Sequence, residues 1–269
     1  MAFLDFRQHG GITHVFDHPI LGEIVEIICL SSQLFEFPPI EVYWGIHRVR
    51  PVTKSKSIRI GIQTEQFRDE SGSKIGSPVS LSRIFREILR YDFIIDINQS
   101  NLFVYKTLPK FLRRKILLGP YIFPEERSLA SVHGGSNAVF FGSLNERRTR
   151  ILESIPKKFS VNIIPDKTFG SMLNSSLQNA WCILNVHYYN GTYTEYPRLL
   201  KAISCGKPVV SESLDSMLIA GHHYMNLSEL FHLNFKEASA EAQIQYDNLS
   251  LYLTQNYSFR SGLRQCLGL

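Results

Sequence analysis

The stretch TEYPRLLKAISCGKPVVSES (Thr194–Ser213) decides how the chain is read. Pro197 suits the first position of a helix, because its missing N–H would have no partner there. Leu199, Leu200 and Ile203 follow at helical spacing, and Gly206 ends the run. The strand-like KPVVSE (207–212) comes next. A helix that runs straight into a buried strand is half of a parallel α/β unit. The helix head also carries Glu195 and Arg198. An arginine at a helix start opposes the dipole by about 0.3–1 kcal/mol, and a bound anion would remove that cost. The pair therefore points to a ligand at this helix end, with an internal Glu–Arg ion pair as the alternative.

The same alternation extends in both directions. Strand-like runs occur at 40–46, 57–63, 91–97 and 115–119, and again at 138–142, 160–164, 181–186 and 207–212. Leu81, Ile84, Phe85, Ile88 and Leu89 form a helical stripe between two of them. Helices are expected over Asn145–Ile155, Gly170–Asn179 and Pro197–Ser204, and over Glu237–Gln255 near the end. The small, Gly-rich run LASVHGGSN (129–137) interrupts the pattern, with about four strands on each side. The expected fold class is α/β, two facing Rossmann-like lobes with parallel sheets. The lobes are placed at 1–128 and 129–269, joined at that run.

Composition fits this class. The chain has 269 residues, 44% of them hydrophobic, 12% aromatic and 20% charged, which describes a globular protein with a sizeable core. A net charge of +5 suits an anionic ligand or a membrane surface, and is weak support for nucleic acid. Cys29, Cys182, Cys205 and Cys266 are scattered without a Cys-x-x-Cys pair, and read as reduced residues of a cytoplasmic protein. The N-terminus has no secretory signal pattern, and no apolar run reaches the roughly 18 residues that would span a bilayer.

In open parallel sheets, ligands bind beyond the carboxyl ends of strands. FFGSLNERRTR (140–150) is such a place: a strand ends at Gly142, Ser143 follows, and Asn145 caps a helix carrying Arg147, Arg148 and Arg150. Free amides with arginines suit a phosphate, whereas a capped surface helix with solvated arginines is the plain alternative. Walker and dinucleotide-binding glycine motifs are absent, which argues against an ATPase or dehydrogenase. His222-His223 lacks a third ligand at metal spacing, so no metal site is expected. Asp96-Ile97-Asn98 after an apolar strand is a competing metal clue.

FFGSLNERR together with ILNVHYYNGTYTEYPRLLKAISCGKPVVSE resembles the C-terminal lobe of GT-B-fold glycosyltransferases of the broad family 1/family 4 group. The most specific part is residues 181–212, and IGIQTEQF (60–67), the 94–102 segment and LGPYIFP (118–124) are similar to the N-terminal lobe of bacterial members. The resemblance implies transfer of a sugar from a nucleotide-sugar donor to an acceptor hydroxyl on a glycan, lipid or other molecule, as in polysaccharide biosynthesis. It implies no cofactor and no metal. The acceptor side would be residues 1–128 and the nucleotide-sugar side 129–269.

Donor contacts would come from Gly142, Ser143, Asn145, Arg147, Arg148, His187, Glu195 and Arg198. Glu65 or His18 would serve as the base on the acceptor hydroxyl. The two glutamates spaced by seven in many family 4 enzymes are replaced here by Tyr193 and Lys201, with Glu195 two residues beyond the first position. A catalytically silent glycan- or partner-binding protein of the same fold is the alternative, and a polyanion-binding module is a third reading. Peripheral contact with the inner face of a membrane is expected, and binding of nucleic acid is not.

Overall fold

The computed structural model describes residues 4–31, 37–51, 56–69, 71–75, 81–126 and 135–269, so most of the expected 129–137 junction lies outside the described residues. The chain forms two compact α/β units, one of Met1–Glu125 with Gln255–Leu269 and one of Glu126–Thr254. Residues 255–269, grouped by the sequence reading with 129–254, belong to the first unit.

The first unit is built on a six-stranded sheet whose spatial order follows the chain. β1 (Asp5–His9) and β2 (Ile12–Phe16) form an antiparallel hairpin; β3 (Ile40–Trp44), β4 (Ile58–Gln63), β5 (Phe93–Asp96) and β6 (Ile116–Leu118) continue in parallel. Helix α1 (Pro19–Ser31) joins β2 to β3, and α2 (Leu81–Arg90) joins β4 to β5. The short helices α3 (Leu102–Tyr105) and α4 (Lys110–Arg113) lead from β5 to β6. Ile84 and Ile88 of α2 share one core with Val104, Tyr105, Leu108 and Leu112, so α2, α3 and α4 form a layer on one face of the sheet.

The second unit has five parallel strands in the order β11-β10-β9-β7-β8. They are β7 (Asn137–Phe141), β8 (Ser160–Ile164), β9 (Ala180–Asn185), β10 (Val209–Ser211) and β11 (Met225–Asn226). Helix α5 (Glu146–Ser154) links β7 to β8, α6 (Gly170–Gln178) links β8 to β9, and α7 (Tyr196–Ser204) links β9 to β10. The chain therefore leaves β7 in one direction across the sheet and leaves β9 in the other. Between such a pair of strands lies a topological switch point, where the connecting loops part and open parallel sheets bind ligands. Phe140, Leu152, Trp181, Leu184 and Met225 are buried together in the core of this unit.

Helix α8 (Phe235–Asn256) carries the chain back, and α9 (Phe259–Leu267) ends it. Phe123 and the turn before α9 exchange backbone bonds: Phe123 N–H donates to Tyr257 C=O at 3.3 Å and Phe259 N–H to Phe123 C=O at 2.8 Å. Phe259 stacks on Trp44 at 5.6 Å, and Trp44 Nε1 donates to His14 Nδ1 at 3.1 Å. Burial, with help from His9 and Arg7, lowers the His14 pKa to about 3, so the imidazole stays neutral and accepts that bond. Among the described residues no helix is long and apolar enough to cross a membrane.

A Cβ on Gly262 of α9 would lie 2.6 Å from the Tyr121 Cβ, a contact that no rotamer change relieves. Gly262→Ala is therefore expected to destabilise the first unit by about 1–3 kcal/mol through overpacking. Calorimetric melting checks this, with an unchanged transition counting against the close packing of α9.

Candidate functional site

The switch point of the second unit is formed by two loops. After β7, Gly142 takes φ +120°, a backbone conformation that side chains rarely permit, and a Cβ there would sit 3.0 Å from Arg198 Nη2. The chain then turns through Ser143 to Asn145, whose side-chain oxygen accepts from Arg148 N–H at 2.8 Å and so caps α5. The Asn145 amide nitrogen donates to Tyr188 C=O at 2.8 Å, which joins this loop to the one after β9.

Arg148 and Arg198 do not point to solvent. The Arg148 side chain is only 4% exposed and donates from Nε to Val186 C=O and from Nη1 to Ser143 C=O, both at 2.8 Å. Its Nη2 pairs with Glu195 Oε1. The Arg198 side chain, 5% exposed, donates from Nη1 to Asn185 Oδ1 at 2.6 Å and from Nη2 to Phe141 C=O at 3.1 Å. Its Nη2 also pairs with Glu195 Oε2 at 2.8 Å. Both guanidinium carbons lie over the Phe140 ring, at 5.3 and 5.2 Å. Burial lowers the Arg198 pKa, and Glu195 opposes that shift. Of the two sequence readings of this helix head, donor contact or an internal ion pair, the structure has the internal ion-pair network. It forms because buried carbonyls and one carboxylate replace the water the guanidiniums give up.

Arg147 belongs to a second cluster. It donates from Nη1 to Glu212 Oε2 at 2.9 Å and to His187 C=O at 2.7 Å, from Nε to Asn190 Oδ1 at 2.8 Å, and from Nη2 to Glu212 Oε1. Glu212 also accepts from His187 N–H at 2.8 Å. Burial acts to raise the Glu212 pKa, but these bonds outweigh it and hold the carboxyl below its ordinary range. His187 is buried, with its ring 4.5 Å from that of Tyr193. Its Nδ1 lies 3.1 Å from Gly191 C=O, and because a carbonyl only accepts, Nδ1 carries the hydrogen. Nε2 is then a lone-pair acceptor, and it is buried without a hydrogen-bond partner among the described residues. Burial lowers the His187 pKa and keeps the ring neutral. Ser143 is exposed, with Oγ 3.2 Å from Asp166 Oδ2, and Glu195 remains a quarter exposed.

The other candidates lie in the first unit. Glu65 follows β4 and is 44% exposed, with Oε1 3.3 Å from Nε2 of His47, which follows β3. Burial lowers the His47 pKa while Glu65 pulls it up. His18 Nδ1 accepts from Ile20 N–H at 3.2 Å, and its carbonyl accepts from Leu21 and Gly22 N–H, so His18 caps α1. Asp96 is fully buried and accepts from Asn98 N–H and Asn101 Nδ2 at 2.9 Å and from Tyr105 Oη at 2.5 Å. Burial nevertheless raises its pKa to about 7. His47, Glu212 and Tyr193 had not been singled out as site residues. The signal for Glu212 was its place at the end of the strand KPVVSE, and for His47 its place just past IEVYWGI.

No family model matches the chain, and no curated protein matches it. Solved structures do. A mutant S. aureus TarM in complex with Fondaparinux, alpha-GlcNAc-glycerol and UDP is similar over 94% of this chain and 59% of its own, at 10% identity and a TM-score of 0.52. The accessory secretory protein 1, 2 and 3 structure from Streptococcus pneumoniae is similar over 98% of this chain and 63% of its own, at 11% identity and a TM-score of 0.50. An alpha1,3-fucosyltransferase is matched at a TM-score of 0.36, too low to carry an argument. The chain thus spans about six-tenths of the length of the first two structures it matches. At these identities the likeness is one of fold alone, a GT-B-like fold of two α/β units with parallel sheets.

Two outcomes follow from the network. Arg198→Ala removes one partner of a buried pair and is expected to cost about 3 kcal/mol, the low end of the usual range because Glu195 keeps some solvent contact. Arg150→Ala breaks only the exposed pair with Glu146 and should stay within about 0.5 kcal/mol of wild type. Denaturant titration of both variants checks this, and equal midpoints would contradict it. The second outcome concerns pH. Glu212 has a lower pKa folded than unfolded, so its contribution is present above the ordinary carboxylate range near about 4 and is lost as pH falls through the folded value. Acid unfolding of Glu212→Gln should therefore show a smaller loss of stability below that range than wild type.

Proposed function

We propose that the chain transfers a sugar from a nucleotide-sugar donor to an acceptor hydroxyl, with the donor diphosphate held at the switch point of the second unit. The supporting observation is the charge of the network there. Two guanidiniums, Arg148 and Arg198, share one carboxylate, Glu195, so the cluster keeps a net positive charge. The Arg147–Glu212 pair beside it is neutral. A fixed positive field in a partly dry site favours an anion without direct contact from either buried arginine. The first amides of α5, at Glu146 and Arg147, have no intrahelical acceptor and suit phosphate oxygens.

In this reading Gly142 lets the backbone approach the diphosphate, and Ser143 offers a hydroxyl. Glu195 accepts from ribose or sugar hydroxyls through its exposed edge, and His187 Nε2 accepts from one more. Charge developing on the departing diphosphate is met by α5 and the network, so transfer should persist in a chelator. On the first unit, Glu65 joined to His47 is the base for the acceptor. The TarM structure, which contains UDP, makes a uridine donor the first to try. The silent-binder reading draws on Tyr193 and Lys201 at the positions of the paired glutamates.

Calorimetric titration with UDP-, GDP-, ADP- and CMP-sugars tests the proposal. One nucleotide class should bind, and His187→Ala should weaken it about two- to tenfold, the value of one neutral hydrogen bond. Binding of none would overturn the donor site. Binding without transfer to any hydroxyl acceptor would favour the silent reading.

A further inference from the structure

Residues 81–115 carry eight Lys and Arg against three Asp and Glu, a net +5 that equals the net charge of the whole chain. The three acids do little to offset it at the surface. Glu87 is buried and bonded to Arg90, Asp96 is buried beneath Tyr105, and Asp92 accepts from Arg59 N–H. Lys106, Lys110, Arg113 and Arg114 are exposed, and among the described residues none of them pairs with a carboxylate.

The same layer exposes large apolar side chains: Phe85 by 36%, Leu89 by 53%, Phe103 by 46% and Phe111 by 61%. Their neighbours Ile84, Ile88, Val104 and Leu112 fill the core below, so the exposed set belongs to the outer side of α2, α3 and α4. An open groove lined by Ser82, Phe85, Arg86, Thr107, Leu108 and Pro109 runs between α2 and the α3–α4 turn and makes this outer side continuous. Lys106 Nζ lies 5.5 Å above the Phe103 ring, so cation and aromatic are presented together.

We propose that this outer side docks on an anionic lipid bilayer. Unpaired cations face the headgroup charge, while Phe103, Phe111 and Leu89 enter the boundary between headgroups and acyl chains. Leu89, exposed among the phenylalanines, fits that boundary better than it fits a nucleic acid, whose phosphates take cations and polar donors and whose unpaired bases stack on aromatic rings. The inference is independent of the donor site, since it rests on a different unit and different residues.

Co-sedimentation of the full chain with vesicles tests it. Binding is expected to phosphatidylglycerol-containing vesicles and not to pure phosphatidylcholine vesicles. Replacing Lys110, Arg113 and Arg114 together by Gln should weaken binding about a hundredfold, because each cation near the surface is worth about fivefold. Phe103→Ser with Phe111→Ser should weaken it at least about tenfold, with circular dichroism confirming that both variants fold. Absence of binding, or equal binding to neutral vesicles, would overturn the proposal. So would tighter binding to a single-stranded oligonucleotide with the Phe variants unchanged on vesicles, which would make this a polyanion surface.

Discussion

Glu195 holds two buried guanidinium groups, Arg148 from α5 and Arg198 from α7, and the second unit is organised around that contact. Moving two guanidiniums out of water, with Glu195 left a quarter exposed, costs several kcal/mol for each buried ion before any attraction is counted. The cost is met because the donors find acceptors in fixed places: Val186, Ser143 and Phe141 carbonyls and the Asn185 side chain. Those acceptors lie on the ends of β7 and β9 and in the loops that follow them. The ion pairs therefore join the two strands at the point where their connections part. Gly142 is required by the same arrangement, since any side chain there would meet Arg198.

This constraint shapes what the site can do. The two arginines direct their Nη donors to carbonyls, Asn185 and Glu195, and the smaller polar groups left exposed or unpartnered here are the Ser143 hydroxyl, one edge of Glu195 and the His187 Nε2 lone pair. Such groups are held by their neighbours before any ligand arrives, which favours precise positioning. The neutral Arg147–Glu212 pair locks the His187 backbone on both sides, through its N–H and its C=O. His187 is thereby placed by residues from two other elements.

Much of the fold was legible because buried parallel strands read as short apolar runs, and all eight of the expected runs are strands, the partly exposed β6 and β8 included. The β1–β2 hairpin was not read, since its outer strand DFRQH is polar and exposed; only the Gly10-Gly11 pair marked the turn. The return of residues 255–269 to the first unit was not legible either. It depends on Tyr121, Phe259 and Trp44 packing across more than a hundred residues of sequence, which no local pattern records. At the candidate site, the sequence placed Arg148 and Arg198 beside the loops after β7 and β9 but did not show which way their side chains point. Arg148 and Arg198 look identical to solvated residues in sequence, and only the placement of Glu195 between them decides that they turn inward.

A double-mutant cycle between Arg148→Met and Glu195→Gln, read by denaturant unfolding, tests this most directly. If Glu195 is the centre of a buried network, the coupling between the two changes should exceed about 1 kcal/mol, within the range for residues in one ion-pair network. Additivity within about 0.3–0.5 kcal/mol would mean that the two groups act independently and that the network does not organise the unit.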